Sequence, residues 1–146
     1  MPDASQPNYV MLETHGLLMA SLNGAVAVTT GTVGTPVSGM VKYRALDVLV
    51  DVTATGGSTA TLTVYIDTKL DGTSWQNLAA GVIMTTASQQ VIHLVRPVVT
   101  TAMLVNTIAG AGTVRPIGWA DDLRVRYTIT GATSTFDFRV FINGVG

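Results

Sequence analysis

Leu46-Asp47-Val48-Leu49-Val50-Asp51-Val52-Thr53 alternates residue by residue, with Leu46, Val48, Val50 and Val52 on one side and Asp47, Leu49, Asp51 and Thr53 on the other. That period of two is the signature of a strand with one buried face, since successive side chains of an extended chain point in opposite directions. Thr55-Gly56-Gly57-Ser58-Thr59 follows as a turn, where adjacent glycines accept positive φ without a Cβ penalty. Beyond it Leu62, Val64 and Ile66 alternate with Thr61, Thr63, Tyr65 and Asp67, so the stretch predicts a hairpin.

The pattern recurs near the C-terminus. Leu123, Val125, Tyr127 and Ile129 alternate with Arg124, Arg126, Thr128 and Thr130; Gly131-Ala132-Thr133-Ser134 supplies the turn; Phe136, Phe138, Val140 and Ile142 return on the inner face. This predicts a second hairpin, and the likeness of 50–56 to 125–131 leaves a duplicated half-domain open. Weaker strand candidates run from Leu17 to Leu22, Ala25 to Thr30, Gln90 to Val95 and Met103 to Thr107, with glycines between them. No apolar 3.6-residue period lasts three turns, and Val, Thr and Ile abound, so helix content is expected to be low. The expected fold class is all-β: an antiparallel β-sandwich or jelly roll of about eight to ten strands. Residues 1–15, unpatterned and bearing Pro2 and Pro7, read as an extended N-terminal arm, and 16–146 as a single β-sandwich domain.

The 146 residues suit one core. Charged residues make up 12% and hydrophobic ones 47%, against roughly 25% charged in an average soluble protein. A formal net charge of −1 leaves little colloidal protection for a lone monomer, which points to a surface covered by partners. It also offers no basic excess to neutralise phosphates, so nucleic acid is not an expected partner. No apolar run approaches the roughly 18 residues of a spanning helix, so a membrane is not one either. The N-terminus lacks the charged and apolar regions of a secretory signal, which predicts synthesis and residence in a cytosol. Cysteine is absent, removing disulfides and thiolate chemistry.

The titratable inventory is small. His93 alternates onto the face of Val91 and Val95 and is expected to be a core or interface histidine bonded to backbone; His15 falls in the arm. Asp121-Asp122 reads as the solvated entrance to a strand, its alternative a Ca²⁺ site or an acid/base pair that no Asp-x-Asp-x-Asp spacing or nearby Glu completes. Asp71-Gly72 reads as a turn, its alternative a cation held by Asp67 and Asp71. No nucleophile motif accompanies the many Ser and Thr residues, and Gly110-Ala111-Gly112-Thr113 lacks the lysine and helix of a phosphate loop. No catalytic residue, cofactor or metal is expected. Trp75, Trp119, Tyr43 and Tyr65 are candidates either for stacking sugars or for anchoring the core and interfaces. Arg124, Arg126 and Arg139 are expected on the outer side of the last hairpin, as a basic stripe facing a partner or as a solvated face.

Residues 44–79, RALDVLVDVTATGGSTATLTVYIDTKLDGTSWQNLA, and 118–144, GWADDLRVRYTITGATSTFDFRVFING, resemble small β-sandwich virion structural proteins of tailed bacteriophages, most nearly the capsid decoration or cement proteins. The resemblance implies a non-enzymatic protein that binds the outer surface of the assembled capsid and stabilises junctions between major capsid subunits. It would be made in the host cytoplasm and reside on the virion. The implied partners are the major capsid protein and further copies of the chain, as homodimer or homotrimer. The candidate contacts are Asn8, Tyr9, Val10, Met11 and Leu12 of the arm, with Leu49 and Phe141, whose competing role is a second buried sheet face. A tail or head-fibre component, or a carbohydrate-binding β-sandwich module, is the alternative.

Overall fold

Two antiparallel sheets hold every strand of the computed structural model, which describes residues 17–26, 28–57, 60–96, 109–131 and 135–145. In chain order the strands are β1 (Leu17–Val26), β2 (Val28–Val37), β3 (Ala45–Gly56), β4 (Thr61–Thr68), β5 (Gln76–Ala80), β6 (Ser88–Val95), β7 (Thr113–Val114), β8 (Leu123–Thr130) and β9 (Thr135–Val145). One sheet has the order β1-β9-β3-β6 and the other β2-β8-β4-β5-β7. The only helical element among the described residues is a single 3-10 turn, Met40–Lys42.

The pairings are nested. β1 lies beside β9, β2 beside β8, β3 beside β6 and β4 beside β5, as in one long hairpin whose tip is the loop between β4 and β5. Rolling that hairpin up adds the β3–β9 and β4–β8 pairs and closes two four-stranded layers, with β7 appended to β5. This is the jelly-roll form of the β-sandwich.

The alternation read from the sequence decides what the layers bury. Leu46, Val48, Val50 and Val52 of β3 and Phe136, Phe138, Val140 and Ile142 of β9 face Leu62, Val64 and Ile66 of β4 and Leu123, Val125 and Ile129 of β8 across one core, all of them buried. Each such side chain removed from water contributes roughly 1.5–3 kcal/mol, which makes this interior the main stabilising term. Tyr127 meets Phe138 edge to face with ring centroids 5.5 Å apart. One end of the sandwich is closed by Arg96, whose guanidinium donates to the carbonyls of Tyr43 (3.0 Å), Trp119 (3.1 Å) and Val41 (2.6 Å), while Trp119 Nε1 donates to Met40 O at 2.9 Å.

Neither predicted hairpin forms. β3 and β4 belong to different sheets, as do β8 and β9, so the chain passes from one layer to the other after Gly57 and again after Gly131. The inward faces were assigned correctly, but they meet across the core instead of side by side. Gly57 and Gly131, with φ of 88° and 106°, sit where the chain leaves β3 and β8. β5 and β7 were not anticipated, and the Met103–Thr107 candidate and the N-terminal arm lie outside the described residues.

A candidate protein-binding face

The outer side of the β1-β9-β3-β6 sheet is built by the residues that alternate away from the core. Because β3 and β9 are in register over most of their length, Leu49 stands directly beside Phe141. On the far side of Phe141 is Leu18 of β1, and on the far side of Leu49 is Val91 of β6. Leu18, Phe141, Leu49 and Val91 therefore form an apolar row across all four strands. Its ends are 50% and 61% exposed, and Leu49 and Phe141 between them are half-buried.

Polar rows border it on both sides. Asn143, Asp47 and His93 lie in register on one flank, and Ser21, Arg139, Asp51 and Gln89 on the other. Arg139 Nη2 donates to Asp51 Oδ2 at 2.7 Å, and Gln89 Nε2 to Asp51 Oδ1 at 3.2 Å. The arginine's hydrogen bond is the chief cause that holds the Asp51 carboxyl below its ordinary value. His93 Nδ1 lies 2.5 Å from Asp47 Oδ1. The histidine is thus exposed and engaged by a side chain, not bonded to backbone in a core.

The basic stripe does not exist as predicted. Arg139 is on this face, whereas Arg124 and Arg126 lie on the outer side of the other sheet, separated from it by the whole sandwich. There both arginines turn inward on Asp67, which is 1% exposed. Arg124 Nε donates to Asp67 Oδ2 at 2.8 Å; Arg126 donates through Nε to Oδ2 at 2.5 Å and through Nη2 to Oδ1 at 3.0 Å; Asn77 Nδ2 adds a bond to Oδ1 at 3.0 Å. Burial alone would raise the Asp67 pKa, but the hydrogen bonds from Arg126, Asn77 and Arg124 outweigh it and hold the group below 3.8. Three adjacent strands place this cluster through the cross-strand pairs Tyr65–Arg126, Asp67–Arg124 and Asp67–Asn77.

Among the described residues, the four candidate aromatics are each engaged within the fold. Trp119 and Tyr43 are buried at the end of the core. The Trp75 ring carries Arg124 at 4.5 Å and Lys69 at 4.8 Å, and Tyr65 carries Arg126 at 5.3 Å. Asp71 is a turn residue: its Oδ1 accepts from Thr73 N and Ser74 N at 2.9 and 2.7 Å, and bonding by the Ser74 hydroxyl and these amides lowers its pKa to about 2. Asp122 receives Ser38 Oγ at 2.7 Å and has Lys69 Nζ 3.8 Å away. Among the described residues no three His, Asp or Glu side chains group as a metal site. A cavity of about 150 Å³ lies on the flank between β6 and β7, lined by Gly81, Val82, Gln90, His93, Gly112 and Val114. It is smaller than the roughly 300 Å³ at which small-molecule pockets begin.

Of the predicted contact residues, Leu49, Phe141 and Arg139 come together on one face; Arg124 and Arg126 do not join them; Asn8, Tyr9, Val10, Met11 and Leu12 lie outside the described residues. Leu18 and Val91 were missed as contact residues, because only the long-range register shows that they extend the same row. No helix of the described residues is long and apolar enough to cross a membrane. No protein-family model, curated protein or solved structure matches the chain.

Proposed function

We propose that this protein is a non-enzymatic binding protein that uses the outer face of the β1-β9-β3-β6 sheet to hold other protein surfaces, and that it serves as a decoration protein on the outside of an assembled bacteriophage capsid. The observation that carries the reading is the row Leu18-Phe141-Leu49-Val91, a four-strand apolar band bordered by polar groups. An apolar centre with a polar rim is the anatomy of a protein interface. The setting rests on the sequence resemblance, and the double-sheet jelly roll is an architecture that viral coat domains share with lectins. Preference for the assembled lattice over free subunits stabilises the shell by mass action, and weak contacts repeated over a lattice add through multivalency.

The test is immunogold labelling of virions that carry this chain, together with co-sedimentation of the purified protein on capsids stripped of it. Dense label over the whole head and saturable rebinding are expected, with binding by Leu49→Lys reduced at least tenfold. Label confined to the tail or absent, or full rebinding by Leu49→Lys, overturns the proposal.

A further inference from the structure

The two central strands of the binding face carry a pattern with a geometric consequence. Asp47 pairs across the sheet with Asn143, Leu49 with Phe141, and Asp51 with Arg139. Each is a complementary pair: polar with polar, apolar with apolar, acid with base. Consider a two-fold axis lying over the face, parallel to the strands, between β3 and β9. It exchanges the two strands and leaves height along them unchanged. Every residue of β3 then faces, on the second copy, the counterpart of its own cross-strand partner. Leu49 lies over Phe141, Asp51 over Arg139 and Asp47 over Asn143, each contact occurring twice, as an isologous interface requires. The same operation brings β1 over β6, so Leu18 meets Val91 and Ser21 meets Gln89.

We infer that this face pairs with the same face of a second copy about that axis, giving a symmetric dimer with a four-layered stack of sheets. The inference rests on the reading of the face as a protein-binding surface and names a second copy as the occupant that the capsid must displace, so the dimer is the free form of the protein and the separated chain is the bound one. A net charge of −1 puts no long-range repulsion between copies. Across the contact, the Arg139–Asp51 ion pair of each chain becomes half of a four-membered alternating cluster. The facing positions span three inter-strand steps of about 4.8 Å and four residue steps of about 3.4 Å, a patch of roughly 14 by 14 Å or about 200 Å². That falls short of the roughly 800 Å² per partner of a standard interface, so the dimer is expected to dissociate on dilution.

Charge reversal tests the axis itself. Arg139→Asp places acid against acid across the interface, and Asp51→Arg places base against base. Arg139 is about half exposed and Asp51, 13% exposed, lies beneath it on the same outer face, so the far-ultraviolet circular dichroism of each variant is recorded first and Leu49→Lys supplies the second test should either fail to fold. Sedimentation velocity over a concentration series is expected to show the wild-type chain reaching twice the mass of a single chain, each variant alone remaining at the single-chain mass, and an equimolar mixture of the two variants recovering the doubled mass, because the acidic face of one then meets the basic face of the other. Leu49→Lys, which leaves the ion pair intact, is expected to stay monomeric as well. A wild-type chain that is monomeric at every concentration overturns the dimer, as does a mixture that fails to associate or a Leu49→Lys variant that still dimerises. If the wild type is monomeric while Leu49→Lys still abolishes binding to capsids, the dimer fails and the binding face stands.

Discussion

Asp67 carries its charge where water does not reach, and its four hydrogen bonds from Arg124, Arg126 and Asn77 replace the hydration it lost. A buried pair of this kind contributes little against an apolar replacement, yet removing one member leaves the others uncompensated. Asp67→Asn is expected to destabilise the protein by about 3 kcal/mol in urea titration, the lower part of the range for breaking a buried pair, because Arg124 keeps some access to solvent. Arg124→Gln should cost less than half as much, since Arg126 retains both of its contacts. The same residue sets an acid limit. Asp67, Asp51 and Asp71 all have carboxyls held below 3.8, the last at about 2, so all three bind protons more readily unfolded than folded. Their contribution is complete above about pH 4 and is lost as the pH falls toward and through the folded values. Unfolding midpoints measured from pH 6 to pH 2 should be flat at first and drop below pH 4, and Asp67→Asn should shallow that drop. This cluster was half legible: the alternation placed Asp67, Arg124 and Arg126 on outward faces, but that β4 and β8 are neighbours, and that the outward face is buried there, depends on contacts far apart in the chain.

At the scale of elements, an alternating pattern states which side of a strand is wet and says nothing about which strand lies beside it. Four residues separate β3 from β4 and β8 from β9. An extended chain of that length spans about 13 Å, enough to cross the roughly 10 Å between packed sheets, and the same length also closes hairpins. Local sequence therefore fits both, and the choice falls to long-range pairing: β9 fills the space beside β3 that β4 would have taken, bringing Val140 into the core beside Val50 and Phe138 beside Val52. β5 escaped notice for a related reason. Gln76-Asn77-Leu78-Ala79-Ala80 has no alternation because Asn77 through Ala80 are all buried, covered on both sides. Gly144 on β9 shows how tightly the elements fit, since a Cβ there would lie 2.7 Å from ring carbons of Tyr43, a fully buried side chain. Gly144→Ala is expected to cost about 1–3 kcal/mol as overpacking, read as a lowered thermal midpoint. Gly72→Ala, in open space at the β4–β5 tip, carries only the strain of its positive φ and should cost less.

For the molecule as a whole, nesting means that the strands nearest the two ends of the described chain are partners: Leu17 pairs with Ile142 while the tip between β4 and β5 is far away in the roll. Folding must close the longest loops before β9 can bridge β1 and β3, and topologies ruled by such non-local pairs fold slowly, in milliseconds to seconds or longer. The architecture also implies which cut it tolerates. Leu70 through Ser74 at the tip are exposed, and loops of that kind accept new termini. A circular permutant opened between Gly72 and Thr73, with the original ends joined by a flexible linker, keeps every strand pair and converts β1–β9 from the most distant pairing into a local one, at the cost of making β4–β5 distant. It is expected to retain the far-ultraviolet circular dichroism of the parent and a single cooperative unfolding transition, with a modest loss of stability from the broken Asp71–Ser74 turn. Stopped-flow refolding should change rate more than the equilibrium changes. A permutant that fails to fold cooperatively would show that the β4–β5 tip must form first and that the roll closes outward from it, whereas retained folding makes the paired ends and the paired tip interchangeable starting points for the same nested hairpin.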